Sequence, residues 1–324
     1  MSSRNFCLGI DVGGTKVSAA LFSPDGEIRH RKKLALDRTG GDEAASQIAS
    51  LIAEYTGGER APRAIGIVIP GVVFHPSGEV WAPNIPNWDR YPLRDHLMEA
   101  TEIEVVLDSD RAAYVLGEQW CGAARGARDV VFLAVGTGIG AGILVDGRLC
   151  RGAGDIAGAV GWFALTPEFR AGYESRGCFE SEASGTAVGE RAVRILASRP
   201  SDLISDLVDH DLSRVTAETV VEAARRGDAV AEEVLEHAAT FLAMGIANIV
   251  SILNPEIVVL GGGLLRGGDL LLDPIRSQFR RWAQPLAAEQ VRVELSALGE
   301  DAGLFGAGRL AWKTVVNALP GASP

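Results

Sequence analysis

The chain has 324 residues, of which 47% are hydrophobic and 23% are charged, a composition typical of a soluble globular protein. Its formal net charge of −11 at pH 7 disfavours nucleic acid or an anionic membrane surface as the main partner. Glycines break the longest apolar runs, so we expect no membrane span, and no signal-peptide pattern opens the chain. The sequence therefore predicts a cytoplasmic protein large enough for two domains.

Four cysteines are scattered through the chain: Cys7, Cys121, Cys150 and Cys178. Because a cytoplasmic chain of this size needs no disulfide, we expect four free thiols that are buried or partly buried. Cys178 follows a glycine and has two carboxylates, Glu180 and Glu182, close behind it. This loop leaves three interpretations open: the remnant of a metal site, a redox thiol, or part of a substrate pocket.

The first half of the chain begins with three predicted strands, which are separated by a glycine turn and a Pro-Asp-Gly turn. They are CLGIDV, KVSAALFS and EIRHRKKLAL. Helical spacing and a glycine stop predict a helix over GDEAASQIASLIAEYTGG. Two further strands and a helix follow: RAIGIVIPGVV, EIEVVLDSD and DRAAYVLGEQWCGAA.

The second half repeats this pattern of a strand, a glycine turn and a second strand in DVVFLAVGTGIGAGILVDGRLCRG. Asp146 and Gly147 predict a tight turn into a third strand. Helices are predicted over SGTAVGERAVRILAS and AVAEEVLEHAATFLAMGIANIVSIL, and strands over EIVVLGGG and VRVELSAL with more helix between them. A glycine-turned hairpin therefore opens each half of the chain.

The first glycine turn, Gly13, Gly14 and Thr15, comes directly after the strand residue Asp11. Backbone amides in such a turn can approach an anion closely, because glycine has no Cβ. Asp11 could hold a hydrated Mg²⁺ ion, and Lys16 adds positive charge. A plain hairpin turn is the alternative interpretation.

The second glycine turn lies in GTGIGAG and contains Gly136, Thr137, Gly138 and Gly140. It leads into a strand and lacks the G-x-G-x-x-G spacing, which disfavours a dinucleotide-binding fold. Two phosphate-type turns about 120 residues apart suggest two lobes that close on one nucleotide. Three more glycines follow the predicted strand EIVVL: Gly261, Gly262 and Gly263. They could let an adenine ring lie against bare backbone.

Asp110 lies at the junction of a predicted strand and a predicted helix. This is a usual position for a catalytic carboxylate at an α/β crevice, but it also suits a residue that caps the helix. Asp108 allows the same two interpretations.

Taken together, the motifs resemble those of the ROK family (repressor, open reading frame, kinase), within the actin-like and hexokinase-like ATPase superfamily. They keep the family's order and spacing from residue 6 to about residue 312. The segments that carry the resemblance are LGIDVGGTKVSAAL, PGVV, PNIPNW, DSDRAAYVLGE, GTGIGAGILVDGRLCRG, NPEIVVLGGGLL and LGEDAGLFGAG.

The resemblance implies an α/β protein with the two-lobed actin-like/hexokinase-like ATPase fold and a ribonuclease-H-like core in each lobe. Residues 1–118 would form the N-terminal lobe and residues 119–304 the larger C-terminal lobe. A helix over 305–324 would pack back on the first lobe. The active site would lie in the cleft between the lobes, and the protein would be a homodimer.

The implied activity is ATP-dependent transfer of the γ-phosphoryl group to the primary hydroxyl (6-OH type) of a hexose or a hexose-like substrate. ATP would bind with Mg²⁺ at Asp11 and at the glycine clusters. Asp110 would be the general base that takes the proton from the hydroxyl. Gly71, Asn84 and Glu180 would bind the sugar beside it.

The loop around Cys178 departs from the family pattern, in which one histidine and three cysteines bind a structural zinc ion. Trp162, Ala171 and Tyr173 stand at three of the four ligand positions. One thiolate cannot hold a tetrahedral zinc, so we predict no structural zinc. We expect Phe179 and Trp162 to pack this loop instead.

The sugar end of the implied site also differs, because Ala159 replaces a glutamate and Trp162 a histidine that bind sugar in the family. Near the base, Ser109 and Ala112 each replace an asparagine. These changes favour an alternative substrate of secondary metabolism, either a C7-cyclitol (valiolone-type) or an amino sugar (kanosamine-type).

The sequence disfavours three other classes of protein. A non-catalytic sugar sensor is disfavoured because Asp110 is retained. A repressor would carry an N-terminal helix-turn-helix, whereas about five residues precede the first predicted strand. An actin-like filament former is disfavoured by the sugar-type motif PNIPNW.

Overall fold

A computed structural model describes residues 6–57 and 61–317. The strands in chain order are β1 (Cys7–Val12), β2 (Lys16–Phe22), β3 (Ile28–Ala35), β4 (Ile65–Ile69), β5 (Val72–Phe74), β6 (Glu79–Trp81), β7 (Asp89–Tyr91), β8 (Val105–Ser109), β9 (Val130–Val135), β10 (Ile139–Val145), β11 (Arg148–Leu149), β12 (Ile257–Gly261) and β13 (Arg292–Leu295).

The α-helices are α1 (Gly41–Thr56), α2 (Leu93–Glu99), α3 (Asp110–Cys121), α4 (Tyr173–Arg176), α5 (Cys178–Ala183), α6 (Gly185–Leu196), α7 (Asp202–Leu207), α8 (Ala217–Arg225), α9 (Ala229–Leu253), α10 (Gly268–Trp282), α11 (Pro285–Gln290) and α12 (Ala302–Asn317). The chain divides into two compact units. Unit 1 comprises Met1–Gly126, Leu149–Ala157 and Ala297–Pro324, and unit 2 comprises Ala127–Arg148 and Gly158–Ser296.

Unit 1 is built on a five-stranded sheet in the order β3-β2-β1-β4-β8. β1 pairs antiparallel with β2, whereas β1, β4 and β8 are parallel neighbours. Asp11 is opposite Val68, and Val68 is opposite Asp108. Because parallel strands end at the same edge of a sheet, Asp11 at the end of β1 and Asp110 just after β8 both lie at the carboxyl edge, with β4 between the two strands.

The two faces of this sheet are covered by different helices. Residues such as Leu8 and Ile10 pack with α1 and α2 on one face, whereas Cys7 and Phe22 pack with α12 on the other. α12 also contacts α3. The fully buried Glu118 on α3 accepts hydrogen bonds from the backbone N–H of Leu298 at 3.0 Å and of Ala297 at 3.3 Å. It thereby holds the segment that leads into α12.

Unit 2 contains a second five-stranded sheet in the order β11-β10-β9-β12-β13. β10 pairs antiparallel with β9, and β9, β12 and β13 are parallel neighbours, which matches β2, β1, β4 and β8 of unit 1. Asp146 and Gly147 have φ angles of 52° and 75°, the left-handed conformation of the predicted tight turn after β10. Helices α5, α6, α8 and α10 pack around the long helix α9. The sheet and these helices share one hydrophobic core.

Helix α9 corrects the expectation that no apolar run is long enough to cross a membrane. It has 25 residues and a mean hydropathy of 1.4 over its most apolar stretch, of which 56% is buried inside the protein. Three glutamates and a histidine interrupt the first half of this helix, so the sequence shows no unbroken apolar run there. Its neighbours on several sides identify it as the central core helix of unit 2.

The other predicted strands and helices form where the patterns placed them. The predicted C-terminal helix is observed as α12, and residues 318–324 of that prediction lie outside the described residues. The three-stranded sheet β5-β6-β7 was not predicted, because strands of three residues give almost no periodic signal. All four cysteines are free thiols, but Cys150 is exposed, contrary to the expectation that each would be at least partly buried.

Candidate active site

The first glycine turn closes the hairpin between β1 and β2. The N–H of Gly13 donates to the carbonyl of Lys16 at 2.8 Å, and the N–H of Leu36 donates to the carbonyl of Thr15 at 2.9 Å. Gly14 lies against the loop between β6 and β7, because a Cβ on Gly14 would be 3.2 Å from the Cβ of Asn84. The structure thus brings a predicted phosphate-binding turn next to a predicted sugar-binding residue.

A pocket of about 220 Å³ lies beside this turn in unit 1. It is lined by Asp11, Gly13, Thr15, Lys16, Ser18, Arg31, Lys33, Glu300, Asp301 and Leu304. Arg31 forms an ion pair with Asp301, with N–O distances of 2.8 and 2.5 Å. Lys16 and Lys33 add two more cationic side chains to the same wall. A pocket with glycine backbone and several cations is suited to phosphate groups.

The Asp11 carboxylate lies against the start of α12, where a Cβ on Gly303 would be 2.8 Å from Asp11 Oδ2. Burial raises the pKa of Asp11 to about 7, and the negative charge of Asp110 contributes in the same direction. A bound cation would favour the ionised carboxylate, and Mg²⁺ prefers oxygen ligands of this kind. Asp11 therefore fits the predicted Mg²⁺ that accompanies a nucleotide.

Asp110 is the first residue of α3, and it is not the cap of that helix. The cap is Ser109, whose hydroxyl accepts from the N–H of Ala112 at 3.3 Å. Asp110 Oδ1 accepts from the N–H of Arg111 at 2.7 Å, and the Tyr114 hydroxyl is hydrogen-bonded to the same carboxylate. Burial raises the pKa of Asp110 to about 6, although the Arg111 charge and these hydrogen bonds oppose the rise. A carboxylate with such a pKa suits general base catalysis near neutral pH.

Asp108, the other candidate, has a different environment. It is 2% exposed, and its Oδ2 atom is 2.5 Å from Arg151 Nη2 and 3.7 Å from His75 Nε2. Burial raises the pKa of Asp108, but the hydrogen bond with His75, the Arg151 charge and hydrogen bond, and the N–H of Ser109 together lower it below its usual value. His75 Nδ1 is in turn 2.8 Å from Asp155 Oδ1. Asp108 therefore lies in a cluster of ion pairs with Arg151, His75 and Asp155. The sequence did not predict this cluster.

The sugar-binding residues predicted in unit 1 lie around β4, β5 and β6. Gly71 follows β4, and a Cβ there would be only 2.0 Å from the carbonyl oxygen of Trp81, so only glycine fits. Asn84 is exposed in the loop after β6. In the same loop, Ile85 and Trp88 are buried. The Trp88 Nε1–H donates to the carbonyl of Gly41 at 3.1 Å. These buried residues fix the loop and leave the Asn84 side chain accessible.

In unit 2, the second glycine turn connects β9 and β10. The N–H of Gly136 donates to the carbonyl of Gly138 at 2.9 Å, and the N–H of Gly185 at the start of α6 donates to the carbonyl of Gly136 at 2.7 Å. The Thr186 hydroxyl donates to the carbonyl of Thr137 at 2.9 Å. The start of a twelve-residue helix therefore supports this turn.

The third glycine cluster lies beside the second turn. A Cβ on Gly136 would be 3.8 Å from the nitrogen of Gly263, and a Cβ on Gly263 would meet nothing within 4 Å. Gly262 has a φ of 102°, a conformation that favours glycine. The open backbone at Gly263 fits the predicted contact with a flat adenine ring. Gly140, by contrast, belongs to strand β10 rather than to the turn.

Glu180 is close to the second turn. Its Oε2 atom accepts from the N–H of Ile139 at 2.7 Å, and a Cβ on Gly138 would be 2.5 Å from the same oxygen. The predicted sugar ligand and the predicted nucleotide turn of unit 2 are therefore in direct contact.

No cluster of three or more His, Cys, Asp or Glu side chains that could hold a metal ion occurs among residues 6–57 and 61–317. Cys178 Sγ instead accepts from the N–H of Leu165 at 3.4 Å. Phe179 is fully buried and stacks on Phe163 with ring centroids 6.4 Å apart. Trp162 is 56% exposed, so the expectation that it packs the loop was wrong.

Known proteins resemble this chain over nearly its whole length. The model of the ROK family matches residues 7–314. The chain belongs to the ROK family. A glucokinase from Halalkalibacterium halodurans is 34% identical over 319 residues, 96% of this chain and 96% of that protein. A glucokinase from Thermotoga maritima is 36% identical over 305 residues, 93% of this chain and 95% of that protein.

A solved structure extends the comparison to three dimensions. The ROK family glucokinase from Streptomyces griseus, in complex with glucose and AMPPNP, superposes with a TM-score of 0.79 at 32% identity. The match covers 95% of this chain and 99% of that one. The predicted fold class is therefore confirmed: it is the α/β fold of the ROK kinases, of the actin-like/hexokinase-like type.

Proposed function

We propose that this ROK protein is an ATP-dependent kinase that transfers the γ-phosphoryl group to the primary hydroxyl, of the 6-OH type, of a hexose or hexose-like substrate. The observation that carries the proposal is the environment of Asp110. This carboxylate lies at the carboxyl edge of the sheet and has a pKa of about 6. It does not cap α3, because Ser109 is the N-cap residue. Glucokinases that match over more than 90% of the chain support a sugar kinase.

ATP, when bound with Mg²⁺, supplies the phosphoryl group and neutralises charge on it. Asp11 would hold the Mg²⁺, while the backbone of Gly13 and Gly14 and the Lys16 ammonium would face the phosphates. Gly136, Thr137 and Gly138, together with Gly261, Gly262 and Gly263, would hold the rest of the nucleotide. We propose that the residues of unit 1 and those of unit 2 bind the same ATP molecule and the same sugar. The family resemblance implies such shared binding by two lobes.

The protein residues position the sugar and accept its proton. Asp110 would accept the proton of the primary hydroxyl, which makes its oxygen a better nucleophile. Asn84 and Glu180 would hydrogen-bond to the other hydroxyls, and the bare backbone of Gly71 would let the ring approach closely. In phosphoryl transfer most of the rate enhancement comes from such positioning and from charge neutralisation.

A second candidate substrate class, the C7-cyclitols or amino sugars, is favoured by Ala159 and Trp162. Neither residue can replace the carboxylate and the imidazole that the family resemblance implies at these positions. A buried sugar hydroxyl without a partner costs about 1–3 kcal/mol, or about 5–150-fold in affinity. A substrate with an altered or less polar face would lose less, and the exposed indole of Trp162 could stack on it.

A substrate panel tests the proposed function. ATP consumption would be measured with glucose, other hexoses, amino sugars and C7-cyclitols at one Mg²⁺-ATP concentration, and the phosphorylated carbon would be assigned by NMR. We expect turnover of at least one compound, with phosphate on the exocyclic CH₂OH group and with glucose not the best substrate. Phosphate on a ring hydroxyl, or no turnover of any compound, would contradict the proposal.

Two further proposals concern the protein as a whole. The family resemblance suggests a homodimer, which analytical ultracentrifugation would test. The net charge of −11 and the proposed substrate both suit a cytoplasmic enzyme that acts on small molecules rather than on nucleic acid.

A further inference from the structure

A buried carboxylate in unit 2, that of Glu182, has no part in the mechanism above. Glu182 is 6% exposed and lies on α5, two residues after Glu180. Its Oε1 atom accepts from the Tyr173 hydroxyl and from Arg170 Nη1, the latter at 3.0 Å, and His237 Nε2 donates to Oε2 at 2.8 Å. We refer to Glu182, Tyr173, Arg170 and His237 as the Glu182 cluster.

The Glu182 cluster connects three parts of unit 2. Arg170 and Tyr173 come from the loop and short helix α4 that precede α5, and His237 is on the core helix α9. His237 also lies against Phe241 of α9, with ring centroids 4.8 Å apart. The cluster therefore joins the loop that was predicted to have lost its zinc to the central core helix of the unit.

The partners of Glu182 favour its ionised form. Burial raises the pKa of Glu182, but the hydrogen bonds from His237 and Tyr173 and the charge of Arg170 outweigh burial and lower the pKa to about 2. Burial and the hydrogen bond to Glu182 raise the pKa of Tyr173, so its hydroxyl remains a donor. A buried charge is stable only while its partners stay in place.

The position of Glu180 depends on the same short helix. α5 has six residues, too few to be stable without tertiary contacts. The N–H of its buried residue Phe179 donates to the carbonyl of Phe163 at 3.2 Å, and Glu180 Oε2 accepts from the N–H of Ile139. Glu182, near the C-terminal end of α5, adds charged contacts to these two hydrogen bonds. The three residues together hold the helix in place.

We propose that Glu182 is a positioning residue for sugar binding: it holds α5 on helix α9, so that Glu180 keeps one carboxylate oxygen on Ile139 and presents the other to sugar hydroxyls. The inference rests on the proposed function, in which Glu180 binds the sugar. It adds to that function the statement that the buried Glu182 cluster, and not a metal ion, fixes the conformation of the sugar-binding loop.

The test substitutes Glu182→Gln, which keeps the size of the side chain and removes its charge. Two quantities are measured: KM and kcat for the best substrate of the panel and for ATP, and the rate of amide hydrogen exchange in residues 178–183. We expect the KM for that substrate to rise about tenfold, while the KM for ATP and kcat change less than about twofold. Amide exchange in α5 should accelerate about tenfold, with no change in α1.

A merely structural role would give a different result. Global destabilisation would lower the amount of active enzyme and hence the apparent kcat, with both KM values unchanged. The matched control is Glu190→Gln, which breaks the exposed ion pair between Arg176 and Glu190 in the same unit. It should alter neither KM nor exchange in α5.

A double-mutant comparison tests the route through Glu180. If Glu182 acts by positioning Glu180, then Glu180→Gln and the double variant Glu180→Gln/Glu182→Gln should have the same KM for the best substrate of the panel. The inference would be overturned if the increase in KM of the double variant were the product of the two single increases. An unchanged KM in Glu182→Gln would also overturn it. Should Glu182→Gln not fold, Tyr173→Phe keeps the carboxylate, removes one donor, and should raise the KM about threefold.

The two proposals fail in different ways. If wild-type protein phosphorylates none of the compounds of the substrate panel, then the proposed function is wrong. If wild-type protein is active but amide exchange in α5 is the same in Glu182→Gln as in Glu190→Gln, then the inference about Glu182 alone is wrong.

Discussion

The hydrogen bond between Tyr114 and Asp110 should set the pH at which the enzyme gains activity. Asp110 has a pKa of about 6, which burial raises and which the charge of Arg111, the N–H of Arg111 and the Tyr114 hydroxyl lower. Tyr114→Phe removes one of the groups that stabilise the ionised carboxylate. Since the general base must be ionised to accept a proton, the substitution should raise its pKa and shift the acid limb of the rate profile to higher pH.

The size of the shift follows from the strength of one hydrogen bond to a charged group. Such a bond contributes about 1.5–3 kcal/mol, and one pKa unit corresponds to about 1.36 kcal/mol, so the pKa should rise by at least about one unit. At pH 6 the ionised fraction of Asp110 would then fall from about one half to about one tenth. We therefore expect about a fivefold loss of kcat/KM at pH 6 and little change at pH 8.

The assay is kcat/KM for the best sugar of the substrate panel, measured from pH 5 to pH 9 at saturating Mg²⁺-ATP. Tyr55→Phe is the matched control, because the Tyr55 hydroxyl donates to the carbonyl of His30 at 2.5 Å, remote from the base along the chain. Its profile should coincide with that of the wild type. A Tyr114→Phe profile with the wild-type acid limb, or a uniform loss at every pH, would refute the reasoning.

Three further predictions concern the loop and the glycines. Protein purified without added zinc should contain far less than one equivalent of zinc by elemental analysis, and a stoichiometric, tightly held zinc would contradict the sequence argument. Gly138→Ala places a Cβ 2.5 Å from Glu180 Oε2, so the KM for the sugar should rise at least about fivefold; an unchanged KM would mean that Glu180 does not bind the sugar. Gly71→Ala places a Cβ 2.0 Å from the carbonyl of Trp81 and should lower the free energy of unfolding by about 1–3 kcal/mol, measured by urea denaturation.

The strands, the long helices and the glycine turns could be read from the sequence because each has a local signal. Apolar periodicity marks β1 or α3, and glycine or Asp-Gly pairs mark the turns. The fold class came from several motifs in register, since no single turn such as Gly13–Thr15 specifies a fold.

The clusters around Asp108 and Glu182 could not be predicted, because their members are far apart in the sequence. Arg151 is 43 residues from Asp108, and His237 is 55 residues from Glu182. The sequence did show two carboxylates close behind Cys178, but only the fold shows that Glu182 turns toward His237 while Glu180 turns toward Ile139. The exposure of Trp162 could not be predicted either. Aromatic residues are often buried, so the sequence favoured burial at this position.

Replacement of the proposed base tests the central claim most directly. Asp110→Asn keeps the shape of the side chain but removes its ability to accept a proton. We predict a loss of kcat of about 10²-fold or more for the best sugar, while the affinity for Mg²⁺-ATP, measured by calorimetry, stays within about threefold of the wild type. Near-normal turnover in Asp110→Asn would contradict the account and would require another carboxylate to act as the base.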